Sequence, residues 1–146
     1  MATFERTVNV DWSGSIMEGS GKAKAGSGAF DLPVSFPRRI GEPEGTTSPE
    51  ELIAAAHAAC YAMALNATLG RKNAKAARTR VTATVAADKG ESGIKVTHSR
   101  LKVVVEGLEG LSADEFPEVA RQAEGGCPIS NVLRNGLTIE LDASVA

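Results

Sequence analysis

The residues of this chain best suited to chemistry are its two cysteines. Cys60 lies midway along an apolar, alanine-loaded run, and Cys127 sits in Gly125-Gly126-Cys127-Pro128, a turn that opens a helix. Only a thiolate attacks, and an ordinary cysteine is a few per cent ionised at neutral pH. At Cys127 the exposed N–H groups of a helix start favour the anion. At Cys60 burial disfavours it, because desolvation penalises the charged form. Local physics alone therefore prefers Cys127. Cys60 becomes the nucleophile only if a cation reaches it from outside its helix. Two unit charges ~4 Å apart interact by about 4 kcal/mol at an effective dielectric near 20, enough to reverse a modest burial penalty.

The candidate cations are Arg38 and Arg39, side by side in Ser35-Phe36-Pro37-Arg38-Arg39, which reads as a loop. Glu50 and Glu51 both suit the positive end of a helix, and Glu51 explains itself as a capping-box acid. That leaves Glu50 to hold an arginine beside a thiolate through a fork-shaped pair. Glu50 and Cys60 stand about 15 Å apart along one regular helix, so a site that combines them needs a second copy of the chain. His57 precedes Cys60 on the same helical face. A buried histidine bonded to a backbone or acid group is expected there, ahead of a Cys-His pair with the imidazole as base. His98 has no constellation around it and is expected to be exposed.

The elements that must position these residues follow from pattern. Val8, Val10 and Trp12 alternate with polar residues as in a half-buried strand. Gly- and Ser-rich turns after it predict an antiparallel meander, and Ala29 to Phe36 holds a short strand that Pro33 places at an edge. Gly41 to Gly45 is a loop. Ser48 caps a long helix that starts at Pro49 and runs to about Leu69, with Gly70 as its stop. Leu52 to Leu65 is apolar on nearly every face apart from His57, which predicts burial on all sides, between sheets or between two subunits. Thr79 to Val85 and Ile94 to Val105 form a hairpin about the turn Asp88 to Gly93. Ser112 and Glu115 start a second helix ended by Gly125-Gly126, Cys127 caps a short third one, and Gly136 to Ala143 closes as a strand. The class is α+β, with antiparallel sheets packed around a long buried central helix.

At 15.1 kDa the chain reads as one domain over residues 1–146, large enough for a core without staples. A net charge of -2 and scattered Lys and Arg give no reason to expect nucleic acid. The N-terminus lacks the apolar run of a secretory signal and no segment approaches membrane-spanning length, so a cytoplasmic protein is expected. In a reducing cytosol a cysteine pair is more often catalytic, redox-sensing or metal-binding than structural. No recognisable zinc ligand set is present, and neither metal nor cofactor is expected.

Ser48-Pro49-Glu50-Glu51-Leu52-Ile53-Ala54-Ala55-Ala56-His57-Ala58-Ala59-Cys60 resembles the signature of the OsmC/Ohr family of thiol peroxidases, and Gly126-Cys127-Pro128-Ile129-Ser130 its second-cysteine motif. The resemblance runs from the Trp12 strand to the last strand. It implies an intertwined homodimer with active sites shared across the interface. It also implies a peroxidase, in oxidative-stress defence, that reduces organic hydroperoxides and, with varying preference, hydrogen peroxide; the apolar surround of Cys60 favours alkyl hydroperoxides over hydrogen peroxide. By that resemblance Cys60 is the peroxidatic thiolate, Cys127 resolves its sulfenic acid as a disulfide, Arg39 activates Cys60 and Glu50 orients Arg39. Arg38 remains a substitute for Arg39. An external dithiol of dihydrolipoyl type restores both thiols. The Ohr branch carries its arginine in the early strands, where this chain has Ile16, Met17 and Glu18, so the OsmC branch is the nearer match. The rival expectations are a noncatalytic redox-sensing or binding protein on the same scaffold and, behind it, a Cys-His hydrolase.

Overall fold

The computed structural model describes residues 2–146, which form two compact units, one ending at Leu52 and the other spanning Ile53–Ala146. In the N-terminal unit, β1 (Val8–Ser13), β2 (Ser20–Ala25) and β3 (Asp31–Val34) make the expected antiparallel meander in the order β1-β2-β3. Strand β2 alternates in the manner of a sheet with one covered face: Gly21, Ala23 and Ala25 are buried while Lys22 and Lys24 point out. Pro33 lies on the edge strand β3, where its missing N–H costs no ladder bond. Strand β1 departs from expectation. Val8, Val10 and Trp12 are 50%, 58% and 42% exposed, so the alternation marks an apolar face that this chain does not cover.

The segment expected as a loop around Arg38 and Arg39 is instead a short helix, α1 (Phe36–Ile40), with extended Ser35 before it. Pro37 in its first turn presets the helical φ and lacks an N–H that would go unbonded there. Helix α2 (Pro49–Arg71) then begins as Ser48 Oγ accepts the Glu51 N–H at 3.1 Å. The Glu51 carboxylate does not complete the capping box; it accepts the Thr47 hydroxyl at 2.7 Å. The helix runs through Gly70 rather than stopping there, and the chain turns off where Asn73 takes a left-handed φ of 57°.

The C-terminal unit is built on β4 (Arg78–Gly90), β5 (Gly93–Glu106) and β6 (Thr138–Val145) in the order β4-β5-β6. The hairpin is tighter than the sequence pattern suggests: Asp88 and Lys89 pair with Lys95 and Ile94, leaving Glu91 and Ser92 as the turn. Gly93, at φ 128°, supplies the backbone that closes it. Strand β6 joins β5 in parallel, so this sheet is mixed rather than wholly antiparallel. The crossover that a parallel return requires contains α3 (Phe116–Gly125) and α4 (Pro128–Leu133). Ser112 and Glu115 form a reciprocal capping box just ahead of α3: Ser112 Oγ accepts the Glu115 N–H, and Glu115 Oε2 accepts the Ser112 N–H and hydroxyl.

The core of this unit joins Tyr61, Leu65 and Leu69 of α2 to Leu101, Val103 and Val105 of β5 and to Phe116, Val119 and Ala120 of α3. Full burial of each such large side chain is worth about 1.5–3 kcal/mol. Tyr61 fixes the layering by donating its hydroxyl to the Ala120 carbonyl at 2.8 Å. The buried stripe of α2, His57, Tyr61, Leu65, Thr68 and Leu69, follows helical spacing. The expected burial on all sides is not met within one chain: Ala55, Ala56, Ala59 and Met63 are exposed. Contrary to the sequence expectation, α2 is long and apolar enough to cross a membrane by length and composition. Its packed stripe in the core identifies it as a core helix.

Candidate active site

The two sulfurs, 67 positions apart in the chain (127 − 60), meet where α2 passes the start of α4. Both are free thiols; Cys60 is half-buried and Cys127 wholly buried. Cys127 is the N-cap of α4, as expected, and its Sγ accepts the Ser130 N–H at 3.5 Å. The Ile129 backbone N–H and the Cys127 thiol are the groups close enough to the Cys60 sulfur to bear on its ionisation. Burial, the largest influence, pushes the Cys60 thiol up; the Ile129 N–H pulls it down and the Cys127 thiol pushes it up again. No cation is among the groups that move the Cys60 thiol; Arg71, which lines the same cleft, is bonded to the Thr68 hydroxyl at 3.1 Å.

Access separates the two thiols. A cleft of about 340 Å3 opens on Cys60, walled by Met63, Ala64, Ala67 and Pro128. Cys127 has no exposed surface, so a dissolved oxidant reaches Cys60 first. The local preference for Cys127, drawn from its helix start, is outweighed by this burial. Moreover, the same short helix start bears on both sulfurs: the Ser130 N–H bonds Cys127, and the Ile129 N–H lowers the Cys60 pKa.

Arg39 and Glu50 come together in the N-terminal unit. Arg39 Nε donates to both Glu50 carboxylate oxygens, at 2.7 and 3.1 Å, with the two side chains 28% and 15% exposed. The contact is made through one nitrogen rather than the expected two-nitrogen fork. Arg38 is committed elsewhere, to Glu44 at 2.7 Å and the Glu42 carbonyl, and is more exposed. Arg39 and a set of apolar side chains, Val10, Trp12, Ile16, Phe36 and Leu52 among them, line a cleft of about 280 Å3 in this unit. Such a cleft suits an apolar ligand with one anionic or polar end.

His57 is buried, but its partners are neither backbone nor acid. Nδ1 lies 2.6 Å from Ser99 Oγ and Nε2 lies 2.7 Å from Ser130 Oγ. With both ring nitrogens engaged, the imidazole has no free lone pair to act as base for Cys60, which removes the footing of a Cys-His hydrolase. Burial, first, and the Arg134 charge lower the His57 pKa, while Glu124 raises it. His98 is half-buried rather than exposed. Ser99, 42 positions from His57, carries no local signal of this contact. Ser130, at the third position after the Cys127 cap, was foreseeable as the donor of the capping N–H but not as a histidine partner. No group of three or more His, Cys, Asp or Glu that could hold a metal ion is present among the described residues.

The fold is α+β and brings a half-buried and a buried free thiol together, and comparison with known proteins assigns its class. The sequence matches the OsmC-like protein family over residues 41–142. It is 37% identical over 139 residues to peroxiredoxin OsmC of Escherichia coli (strain K12), covering 94% of this chain and 96% of that protein. It is 31% identical over 128 residues to the organic hydroperoxide resistance protein OhrA of Bacillus subtilis (strain 168), covering 85% and 87%. The fold is similar to the crystal structure of an organic hydroperoxide resistance protein OsmC from Legionella pneumophila, with a TM-score of 0.76, 26% identity and 99% of both chains covered. The chain belongs to the OsmC-like family.

Proposed function

We propose that the protein is a thiol-dependent peroxidase that reduces organic hydroperoxides, and hydrogen peroxide less efficiently, in oxidative-stress defence. The observation that carries this is the apposition of a reachable Cys60 with a buried Cys127. It is supported by relatives named peroxiredoxin and organic hydroperoxide resistance protein. The Cys60 thiolate attacks one peroxide oxygen; the O–O bond breaks, an alcohol leaves with a proton, and a sulfenic acid remains. The Cys127 thiol then attacks that sulfur, forming the disulfide and releasing water. An external dithiol, of dihydrolipoyl type, exchanges with the disulfide, restoring both thiols and leaving as its own disulfide. The residues that carry the reaction are Cys60 and Cys127, with Arg39 keeping Cys60 ionised and Glu50 orienting Arg39. No metal or cofactor takes part.

Residues 1–146 act as one OsmC-like domain, and two chains form a homodimer in which Arg39 and Glu50 serve a Cys60–Cys127 pair across the interface. The exposed apolar side chains of β1 and its neighbours, including Val10, Trp12, Ile16 and Met17, support that assembly, as does the bare apolar face of α2. The protein is soluble and works in the cytoplasm, with neither nucleic acid nor membrane as a partner. Purified protein with excess dithiol is expected to consume cumene hydroperoxide over many turnovers, and Cys60→Ser to abolish this. One oxidation per chain without turnover would instead assign a redox sensor.

A further inference from the structure

We propose that His57 is a positioning residue for disulfide formation: through Ser130 it holds the start of α4, and with it Cys127, against Cys60. The inference rests on the peroxidase function above and concerns a buried histidine that the reaction itself does not use.

Four residues from three elements form one buried polar chain. Ser99 on β5 meets His57 Nδ1 at 2.6 Å, His57 Nε2 meets Ser130 Oγ at 2.7 Å, and the Ser130 N–H donates to Cys127 Sγ at 3.5 Å. Ser99, His57 and Ser130 have no exposed surface. Ser130 is the only buried residue of α4, whose other positions are exposed or half-buried. A helix of six residues is not stable by itself, so its place depends on tertiary contacts. Ile129 packs half-buried against the core and Asn131 bonds the Gly125 carbonyl at the surface, but the fully buried Ser130 makes its side-chain contact to His57. His57 and Cys60 also lie one turn apart on α2. The group that fixes α4 and the sulfur that Cys127 must reach therefore move together.

The consequence falls on one step. In closure, the Cys127 sulfur bonds to the sulfenic sulfur of Cys60, the S–O bond breaks, and the hydroxyl leaves with the thiol proton as water. Bond formation needs the sulfurs to approach to about 2.05 Å with a restricted dihedral angle, so loosening α4 lowers the share of chains poised to close. The first step needs peroxide and a Cys60 that Arg39 keeps ionised; α4 enters it only through the Ile129 backbone N–H, a smaller influence on the Cys60 thiol than burial, so loosening α4 falls mainly on closure. A sulfenic acid that waits longer meets a second peroxide and becomes sulfinic acid.

The test uses the full-length protein, His57→Gln, Ser130→Ala and the double variant, oxidised with tert-butyl hydroperoxide and followed by rapid-quench mass spectrometry. Sulfenic acid formation is expected within about twofold of the unmutated rate. Disulfide closure is expected about tenfold slower, the factor that about 1.4 kcal/mol carries. Sulfinic acid should rise at equal peroxide, and the double variant should close no more slowly than the slower single one, because both break one linkage. Closure at the unmutated rate in Ser130→Ala would overturn the proposal, as would equal slowing of both steps. If His57→Gln does not fold, Ser130→Ala, which removes one hydroxyl, decides alone. If the unmutated protein forms no sulfenic acid, the peroxidase function fails. Closure driven by diamide, which takes two hydrogens from the thiols without peroxide, then still tests His57: slower closure in Ser130→Ala supports its role and an unchanged rate refutes it.

Discussion

Arg39 holds Glu50 through Nε alone, at 2.7 and 3.1 Å, and its two terminal nitrogens make no hydrogen bond among the described residues. The carboxylate thus fixes the plane of the guanidinium while leaving its outer donors for an anion. Neutralising either partner should lower kcat/KM for cumene hydroperoxide by about 10²-fold, the usual cost of removing one oriented charge donor. Arg39→Lys should not rescue, because an ammonium cannot present the same planar donors. Steady-state kinetics on Arg39→Met, Arg39→Lys and Glu50→Gln check this, and near-normal activity in Arg39→Lys would show that charge alone suffices.

The pH profile should separate activation from binding. Burial pushes the Cys60 thiol up, so if Arg39 activates it, removing Arg39 lowers the thiolate fraction at neutral pH, and the fraction recovers as pH rises. In Arg39→Met the rate should therefore climb further into the alkaline range than in the unmutated protein, and the deficit should shrink with pH. A deficit that is constant from pH 6 to about 9.5 would assign Arg39 to substrate binding instead.

Cys127→Ser should retain the first oxidation and lose the cycle. One equivalent of alcohol per chain is expected, followed by accumulation of Cys60 sulfinic acid rather than a disulfide. Intact-mass measurement after stepwise peroxide addition distinguishes the two products. Multiple turnovers in this variant with dithiol present would show that resolution does not require Cys127.

His57 should make stability depend on pH in a defined direction. Its pKa in the fold is lowered, chiefly by burial, so below about 6.5 the unfolded chain takes up a proton that the folded one refuses. The contribution is complete above that value and is lost as pH falls through the lower folded pKa. Glu124 and Arg134, ion-paired at 2.8 Å, act on the ring with opposite signs. Denaturant melts of the unmutated protein should weaken between pH 7 and 5, and His57→Gln should remove part of that slope.

The apolar face of β1 makes an assembly prediction. Val10 is 58% exposed in the single chain, so Val10→Glu should leave the fold of one chain intact while opposing burial of that face. Sedimentation should show a dimer for the unmutated protein and a monomer for the variant, with peroxidase activity lost alongside. A fully active monomer would contradict the shared site.

Local rules carried much of the architecture. The meander, the edge position of Pro33, the Ser48 cap, the Ser112–Glu115 box and the Cys127 cap are all short-range features, decided within a turn or a strand. Where the local signals were weak they misled. Gly70 is a helix breaker by propensity, yet tertiary packing of Thr68 and Leu69 carries α2 past it. The polar-apolar alternation of β1 predicts a half-buried strand, yet such a pattern shows only that one face is apolar and not whether this chain covers it. The parallel pairing of β6 has no local signature at all.

The same division holds for the site. By itself the sequence determined which sulfurs are available, that one opens a helix, that the other is penalised by its apolar surroundings, and that Glu50 and Cys60 are too far apart on one helix to meet. Residue type, capping chemistry and helical rise settle those points without reference to the rest of the chain. Only the tertiary structure decided that Cys60 is reachable and Cys127 is not, that Arg39 rather than Arg38 takes Glu50, and that His57 is held by two serines. Those outcomes depend on burial and on contacts between residues distant in sequence. No local propensity encodes them, because each is a competition among partners that folding alone brings together.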